Sequence, residues 1–397
     1  MYRKIGDDTY VVYFQDDFYT VNEYTLQLIQ LYLRSDDTEG LAKLLCCDEN
    51  DVEEIFTELN DSFENAEFND KLEDLPFPLH VKWKITSRCN IRCKHCYIGE
   101  KQNLQLPAES NMEIARKIVK SGAFVVTISG GEPLTVDELP KIVAYLMNNG
   151  LELHIFTNGI ILPEFITRLE AEFGSVKKNM LEFIVSLDGL REVHDFMRGE
   201  GVFDKTTTGM KYAINRGYCV KTNTTVIPQN IDDIPRIIEF CQEIGVSNSQ
   251  FSSLINRGWA AEHKDQIGMS ADDQKRFVST LQVFTAEKDR NYSVFYSPLD
   301  KSEKKDDPIV YQFVDGEQKA IGRDTWKCGA GKGKCVINER GDVLCCPFFE
   351  ESKIGNILKN DFTDFWKSPL RTEFINRLKQ INGVNRYCAV MKGDCNV

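Results

Sequence analysis

The feature that most constrains the fold is a strand-then-helix pattern that repeats between residues 81 and 254. Six strand-like runs, each followed by a helical pattern, begin at intervals of 27 to 43 residues. This spacing predicts βα units around a parallel sheet. Six units are fewer than the eight of a closed barrel, so we expect a partial, open (β/α)6 barrel in an α/β fold. The predicted strands begin near Val81, Phe124, Leu151, Leu181, Tyr218 and Val246.

A loop with three cysteines directly follows the first predicted strand. Cys89, Cys93 and Cys96 have the spacing C-x3-C-x2-C. Three thiolates on one loop can hold three irons of a [4Fe–4S] cluster, which normally has four cysteine ligands, and one iron then stays open for another ligand. The alternative is a zinc site with His95 as fourth ligand. We favour the cluster, because His95 lies directly beside Cys96 and would compete poorly for the same ion.

The composition narrows the function class. The chain has 397 residues and a formal net charge of −13, which disfavours a nucleic-acid partner. No apolar run approaches the ~20 residues of a membrane span, and no apolar core follows the N-terminal basic residues, as a signal peptide requires. We therefore expect a cytoplasmic protein without a membrane partner. Its 13 cysteines then indicate metal or redox chemistry rather than a disulfide framework.

Changes of pattern divide the chain into four segments. The first has strand-like runs at Thr9–Phe14 and Phe18–Val21 and then three helical patterns, which indicates a small winged-helix-like domain. The second is the predicted barrel, and the third is polar and mixed, as expected for a helix and a connecting segment. The last holds six cysteines in 72 positions, which indicates a metal-bound module with little core of its own. The expected segments are 1–72, 73–270, 271–325 and 326–397.

Polar motifs follow the later predicted strands, at the face where barrel active sites are built. Gly130 and Gly131 would let the backbone approach a ligand closely, and the carboxylate of Glu132 could take an amino group. Arg198, and with less support Arg257, could bind a carboxylate. Each motif alone is also typical of a tight turn or a surface ion pair.

Taken together, the cysteine loop, the Gly-Gly-Glu-Pro motif after the second strand and the Ser-Leu-Asp-Gly motif at the fourth resemble the radical SAM superfamily over residues 80–260. The resemblance implies that Cys89, Cys93 and Cys96 bind a [4Fe–4S] cluster whose open iron is chelated by S-adenosylmethionine. It assigns the cofactor-binding roles to His95 and Tyr97 beside the adenine, to Gly130, Gly131 and Glu132 at the methionine amino group, and to Ser186, Asp188 and Arg198 near the ribose and methionyl moieties. Thr157 and Asn158, which end the third predicted strand, could hydrogen-bond sugar hydroxyls, so we count them among the cofactor-binding candidates.

The C-terminal segment resembles the SPASM/twitch extension of radical SAM enzymes that modify peptides. Cys328, the run from Gly341 to Cys346 and the following Pro347 fit the first half of its pattern, but the second half departs from it. Two fully ligated clusters would need eight cysteines and six are available, so the resemblance favours one auxiliary [4Fe–4S] cluster. Its expected ligands are Cys328, Cys335, Cys346 and either Cys388 or Cys395. The role of Cys345 stays open, and a zinc site with four cysteines is the alternative.

Residues 1–72 resemble the PqqD-like RiPP recognition element in element order and length. That domain binds the leader of a ribosomal precursor peptide as an added strand. The alternative is a DNA-binding winged helix, which is disfavoured because residues 35–74 hold only Lys43 and Lys71 against many acidic residues.

The resemblance as a whole implies a peptide maturase that cleaves S-adenosylmethionine reductively to a 5′-deoxyadenosyl radical. We expect a thioether cross-link of the sactionine or ranthionine type, with a carbon–carbon or carbon–oxygen cross-link as the second possibility. The expected partners are a precursor peptide and an electron donor such as flavodoxin or ferredoxin. No catalytic base can be named from the sequence. The alternatives from other classes are an inactive leader-binding protein and a zinc-bound regulator.

Overall fold

The computed structural model describes the chain in eleven stretches. It separates two compact units, Met1–Pro76 and Phe77–Val397. The described residues are 2–6, 9–14, 17–21, 26, 75–100, 102–174, 176–286, 293–297, 310–314, 317–321 and 329–382.

The N-terminal unit contains a three-stranded antiparallel sheet in the order β1-β2-β3. The strands are β1 (Tyr2–Gly6), β2 (Thr9–Phe14) and β3 (Asp17–Val21). Val11 and Val12 of the central strand are buried. The sequence predicted the second and third strands, whereas the first was missed. The three predicted helices fall almost entirely outside the described residues.

The second unit is built on seven parallel strands that neighbour each other in chain order, so the predicted open barrel is confirmed. Six of them begin within two residues of the predicted positions. The strands are β4 (His80–Thr86), β5 (Val125–Gly130), β6 (Glu152–Thr157), β7 (Leu181–Ser186), β8 (Cys219–Val226), β9 (Asn248–Ser253) and β10 (Ser293–Ser297).

Helices connect these strands and cover the sheet with their apolar faces. The first of them buries Ile114, Ala115 and Ile118, which recur at helical spacing. The helices of this part are α1 (Ala108–Ser121), α2 (Leu139–Asn148), α3 (Leu162–Phe173), α4 (Arg191–Arg198), α5 (Val202–Asn215), α6 (Ile234–Ile244), α7 (Trp259–Glu262), α8 (Lys264–Ile267) and α9 (Ala271–Ala286). Within the described ranges, no helix is long and apolar enough to cross a membrane.

The segment 271–325 is more than the expected connector. After α9 it contributes β10, and then β11 (Val310–Val314) and β12 (Glu317–Ile321), which extend the same sheet as an antiparallel hairpin. Sequence reasoning missed these strands because their runs are short and lie among polar residues. Pairing decides their state: β10 pairs with β9, β11 with β10, and β12 with β11.

The C-terminal segment also joins this sheet. β13 (Lys334–Ile337) pairs parallel to β4, and β14 (Asp342–Leu344) and β15 (Lys353–Asn356) follow as antiparallel strands. Two helices complete the described chain, α10 (Phe362–Trp366) and α11 (Pro369–Asn382).

A single hydrophobic cluster runs from the barrel into this segment. Trp83 and Ile85 of β4 belong to the same cluster as Ile337 of β13 and Trp366 of α10. The segment therefore shares the core of the barrel, which explains how so short a stretch can be folded.

Candidate active site

A cavity of about 420 Å³ opens at the carboxyl ends of the parallel strands. Because parallel strands end at the same edge, side chains distant in sequence meet there. Eleven of the twelve predicted cofactor-binding or cluster-binding residues between 89 and 188 line this cavity, and so does Arg198. Those in the wall are Cys89, Cys93, His95, Cys96, Tyr97, Gly130, Gly131, Glu132, Thr157, Asn158, Ser186 and Arg198. Asp188 is described but does not line it.

The three loop cysteines lie together at one end of the cavity. Cys93 is buried, and Cys89 and Cys96 are half-buried. Among the described residues, no three Cys, His, Asp or Glu side chains are placed to hold one metal ion. All three thiols lie on one loop that lines the cavity, and each can bind a different iron of a [4Fe–4S] cluster, so the residues present fit the group that the loop spacing predicts.

Two glycines bring the loop after β5 against the cysteine loop. A Cβ on Gly130 would lie 2.2 Å from the Thr86 carbonyl oxygen, and one on Gly131 would lie 2.0 Å from the Arg88 carbonyl oxygen. The Gly131 amide donates to the Thr86 oxygen at 2.8 Å, and the Glu132 amide donates to the Arg88 oxygen at 2.7 Å. A side chain on either glycine would therefore collide with the backbone atoms that lead into the cysteine loop. Both glycines also line the cavity, and their predicted contact with a ligand stays a prediction.

Glu132 is buried, and its carboxylate is held from both sides. Oε1 accepts hydrogen bonds from Thr157 Oγ1 at 2.7 Å and the Leu134 amide at 3.1 Å, and Oε2 accepts one from the Asn158 amide at 2.8 Å. Burial raises the pKa of Glu132 to about 7, although these hydrogen bonds oppose the shift. A carboxylate fixed in this way at a cavity wall is suited to bind a cationic amino group.

Asn158 links the loop after β6 to the cysteine loop. Its Nδ2 donates to Asn90 Oδ1 at 2.7 Å, and its Oδ1 accepts from the Ile160 amide at 3.0 Å. Its backbone carbonyl accepts from Thr206 Oγ1 at 2.8 Å. The side chain is therefore committed to holding the loops around the cavity together.

Asp188 and Arg198 form a buried ion pair behind the cysteine loop. Arg198 Nε donates to Asp188 Oδ2 at 2.6 Å, and the Thr225 amide donates to Oδ1 at 2.9 Å. Burial is the largest single effect and would raise the pKa of Asp188, but Arg198, His95, His194 and the Thr225 amide together outweigh burial and hold that pKa well below its usual range. The carboxylate of Asp188 is thus held by Arg198, which itself lines the cavity, and the predicted place of Asp188 near the ribose stays a prediction.

The same arginine reaches the cysteine loop. Arg198 Nη1 lies 3.8 Å from Cys93 Sγ, and Nη2 lies 3.3 Å from His95 Nε2. Burial raises the pKa of the Cys93 thiol to about 11, and the guanidinium opposes that shift. Burial also lowers the pKa of His95 to about 4, so this imidazole is neutral. A fixed positive charge beside Cys93 favours the thiolate that iron requires.

Part of the cavity wall comes from the C-terminal segment, which sequence reasoning did not connect to the site. Pro347 and Phe348 line the cavity beside the barrel residues. Lys84 Nζ donates to the Pro347 carbonyl at 3.3 Å, and the Phe348 ring meets the Tyr97 ring edge-on at 5.8 Å. No local signal in the sequence reveals this neighbourhood, which arises because β13 pairs with β4.

Arg257 also contacts this segment. Its guanidinium donates to the Phe348 carbonyl oxygen. The predicted contact of Arg257 with a carboxylate stays a prediction. The next residue, Gly258, packs so tightly that a Cβ would lie 2.8 Å from the Cys96 carbonyl oxygen. The Trp259 amide donates to that same oxygen at 3.0 Å. The loop after β9 thus ties the cysteine loop to the C-terminal segment.

Further cavity residues were missed because they lie inside strands, where alternation marks them only as half-buried. They are Lys82, Lys84, Thr127, Ser129, Phe156, Asn223, Thr225, Gln250, Ser252 and Val336.

Three cysteines of the C-terminal segment are described, and all are buried. Val336 pairs with Leu344, so Cys335 and Cys345 take the next facing positions of the β13–β14 hairpin. Burial raises the pKa of the Cys345 thiol to about 12, and that of Cys335 well above its usual value. Buried thiols near each other suit an iron–sulfur cluster, which binds them as thiolates. The other predicted ligands, Cys328, Cys388 and Cys395, lie outside the described residues.

Comparison with known proteins matches both parts of this site. A family model of the radical SAM superfamily matches residues 83–241, and one of the iron–sulfur cluster-binding SPASM domain matches residues 328–396. The Fe-coproporphyrin III synthase of Methanosarcina barkeri is 26% identical over 75% of this chain and 76% of its own length. The mycofactocin maturase MftC of Mycolicibacterium smegmatis is 27% identical over 74% of this chain and 71% of its own length.

Among solved structures, Streptococcus suis SuiB bound to S-adenosylmethionine is similar in fold. It has a TM-score of 0.65 and 17% identity, and the match covers 94% of this chain and 90% of SuiB. The chain thus contains a radical SAM domain and a C-terminal SPASM domain, and it is an enzyme. The first domain binds a [4Fe–4S] cluster and S-adenosylmethionine, and the second binds auxiliary iron–sulfur clusters.

Proposed function

We propose that this radical SAM enzyme modifies a ribosomally made precursor peptide that binds through its leader to the N-terminal unit. The observation that carries the proposal is the extent of the fold likeness to SuiB, which covers 94% of this chain and so includes part of the N-terminal unit. SuiB has been solved bound to a precursor peptide, SuiA. A separate small sheet ahead of a radical SAM barrel is best explained as a peptide-binding element.

The N-terminal sheet is suited to this role. Among the described strands, β1 and β3 each have a neighbour on one side only, since both pair with β2. An edge strand can accept an extended peptide as an additional strand, with main-chain hydrogen bonds supplying affinity. We therefore propose that residues 1–72 form a PqqD-like recognition element. We extend the proposal to a barrel over 73–270 and a cluster-binding module over 326–397.

In the active site, the bound cluster and S-adenosylmethionine would supply a 5′-deoxyadenosyl radical, which can remove hydrogen from an unactivated carbon. Cys89, Cys93 and Cys96 would hold the cluster, and Glu132 would bind the methionine amino group. Ser186, Thr157 and Tyr97 line the same cavity and would contact the rest of the cofactor. The barrel and the Pro347–Phe348 wall would exclude water from the reacting carbon.

For the auxiliary site we propose one [4Fe–4S] cluster. Cys335 and Cys346 would be two of its ligands, with Cys328 and either Cys388 or Cys395 completing the set. Metal analysis of the anaerobically reconstituted enzyme tests this number: about eight irons per chain support it, and about four would remove the auxiliary cluster.

For the product we propose a thioether cross-link, with a carbon–carbon or carbon–oxygen cross-link as the alternative within the same class. A different class is favoured by one observation, since the relatives at similar identity include the Fe-coproporphyrin III synthase and an AdoMet-dependent heme synthase of Methanosarcina barkeri. On that alternative the substrate would be a tetrapyrrole, and residues 1–72 would have no leader to bind.

The decisive experiment incubates reconstituted, reduced enzyme with S-adenosylmethionine and a candidate precursor peptide, chosen from the short reading frames that neighbour its gene. We expect 5′-deoxyadenosine and a peptide that is lighter by two hydrogens for each link. Tandem mass spectrometry then identifies the linked residues, and an excess of leader peptide should inhibit the reaction. Modification of an iron coproporphyrin under the same conditions, with the peptide unchanged, would overturn the proposal. We further propose that the protein works in the cytoplasm, where a flavodoxin or ferredoxin can reduce it.

A further inference from the structure

The charge around the cysteine loop is opposite to that of the whole chain. The protein has a formal net charge of −13, yet residues 75–99 contain five Lys or Arg and no Asp or Glu. Two of these cations, Lys82 and Lys84, line the cavity. Arg88, Arg92 and Lys94 do not line it, and both arginines are exposed. The outer side of the cysteine loop is therefore basic.

Aromatic rings hold two of these cations in place. The Arg92 guanidinium stacks 4.6 Å from the centre of the Trp259 ring, and Lys94 Nζ lies 3.6 Å from the centre of the Phe196 ring. Phe196 itself is 38% exposed, which is unusual for a phenylalanine. We call Arg92, Lys94 and Phe196 the basic patch. It combines positive charge with an exposed aromatic ring, a composition typical of protein interfaces.

The acidic groups close to the patch leave its charge largely uncompensated. Glu100 lies 3.5 Å from Arg92, but the two side chains are 84% and 73% exposed, and such pairs are weak. Asp195, on the same helix as Phe196, accepts hydrogen bonds from the amides of Gly201 and Phe203. Its carboxylate is thus used within its own loop.

We propose that the basic patch is the docking site for an acidic one-electron carrier protein of the flavodoxin type. Arg92 and Lys94 flank Cys93 in the sequence, so a carrier seated on them lies next to the loop that binds the cluster. The carrier gives up one electron and the cluster takes up one electron, and no bond is formed or broken. Complementary charge raises the rate of such encounters, and redox encounters need only a small interface. This inference rests on the radical SAM assignment and is independent of the peptide substrate.

The test compares two reductants on the reconstituted holoenzyme, followed anaerobically by the bleaching of the cluster absorbance in a stopped-flow instrument. The variant is Arg92→Glu with Lys94→Glu, and the control reverses two exposed lysines of the C-terminal segment, Lys359→Glu with Lys367→Glu. We expect the second-order rate constant with reduced flavodoxin to fall by about 10-fold or more in the patch variant only, and to lose its dependence on salt. Reduction by dithionite, a small molecule that needs no docking, should be unchanged.

Three results would overturn the proposal. One is a flavodoxin rate that falls equally in the patch variant and the control. Another is an equal loss of the reduction rate with both reductants, seen also in the milder Arg92→Gln, Lys94→Gln variant. That result would mean that these side chains hold the cluster. The third is lost binding of the precursor peptide with unchanged flavodoxin kinetics, which would assign the patch to the peptide. Because no peptide is needed to measure cluster reduction, failure here leaves the proposed maturase function standing.

Discussion

The buried pair of Asp188 and Arg198 gives the sharpest test of how the site is held together. Arg198→Met removes the guanidinium that lies 2.6 Å from the Asp188 carboxylate and leaves that carboxylate fully buried. The Thr225 amide at 2.9 Å is then its closest remaining donor. Removing one partner of a buried ion pair costs about 3–5 kcal/mol, because an uncompensated charge stays behind.

This cost should be visible in thermal unfolding. At roughly 2–4 °C per kcal/mol for a large domain, we expect the melting temperature of the barrel to fall by at least about 6 °C. Loss of the positive charge 3.8 Å from Cys93 Sγ should also lower the iron content. The assay is circular dichroism melting of reconstituted protein under anaerobic conditions, with iron measured on the same samples.

A second substitution separates charge from packing. Asp188→Asn in the Arg198→Met background removes the unpaired negative charge but retains the acceptor for the Thr225 amide. We expect the double variant to recover most of the lost stability, with a coupling of about 2 kcal/mol or more. A single variant that melts within about 2 °C of the parent, or a double variant no more stable than the single one, would refute the reasoning.

Three further predictions concern the cavity. Gly131→Ala should destabilise the barrel by about 3 kcal/mol and release iron, because its Cβ would lie 2.0 Å from a backbone oxygen. The control, Gly150→Ala, has open space around the added Cβ and should cost only about 1 kcal/mol. Thermal melting and iron analysis of both variants measure the difference. S-adenosylmethionine affinity, measured by calorimetry, should rise with pH through about 7 as Glu132 deprotonates, and Glu132→Gln should bind weakly at every pH. Cys93→Ala should abolish 5′-deoxyadenosine formation, while leader binding, measured by fluorescence anisotropy, persists. If this variant also lost leader binding, the assignment of leader binding to residues 1–72 would be contradicted.

The strands of the barrel were predictable because each is a local apolar run between helices. The strand expected near Leu181 begins at that residue, and the one expected near Val246 begins at Asn248. The strands after residue 290 were not predictable in this way. Ser293–Ser297 is a strand because it lies beside β9, and no pattern within five residues specifies that neighbour.

The active site likewise has features that the local sequence predicts and features that it does not. Because parallel strands end at one edge, the sequence correctly indicated that Cys93, Glu132 and Ser186 would line one cavity. It did not indicate which protein groups the charged side chains contact. Arg257 donates to the carbonyl oxygen of Phe348, and Arg198 donates to the carboxylate of Asp188. Such choices depend on distances in space between loops, which motif reasoning does not contain.

The sequence by itself therefore determined the order of the βα units and the thiols that share one loop, since both are set by spacing along the chain. Only the tertiary structure decided that Pro347 and Phe348 line the cavity. Pro347 contacts Lys84, which lies 263 residues earlier in the chain. The physical reason is the pairing of β13 with β4. That pairing depends on a hydrophobic core that the barrel shares with the C-terminal segment, and no short segment of the chain encodes it alone.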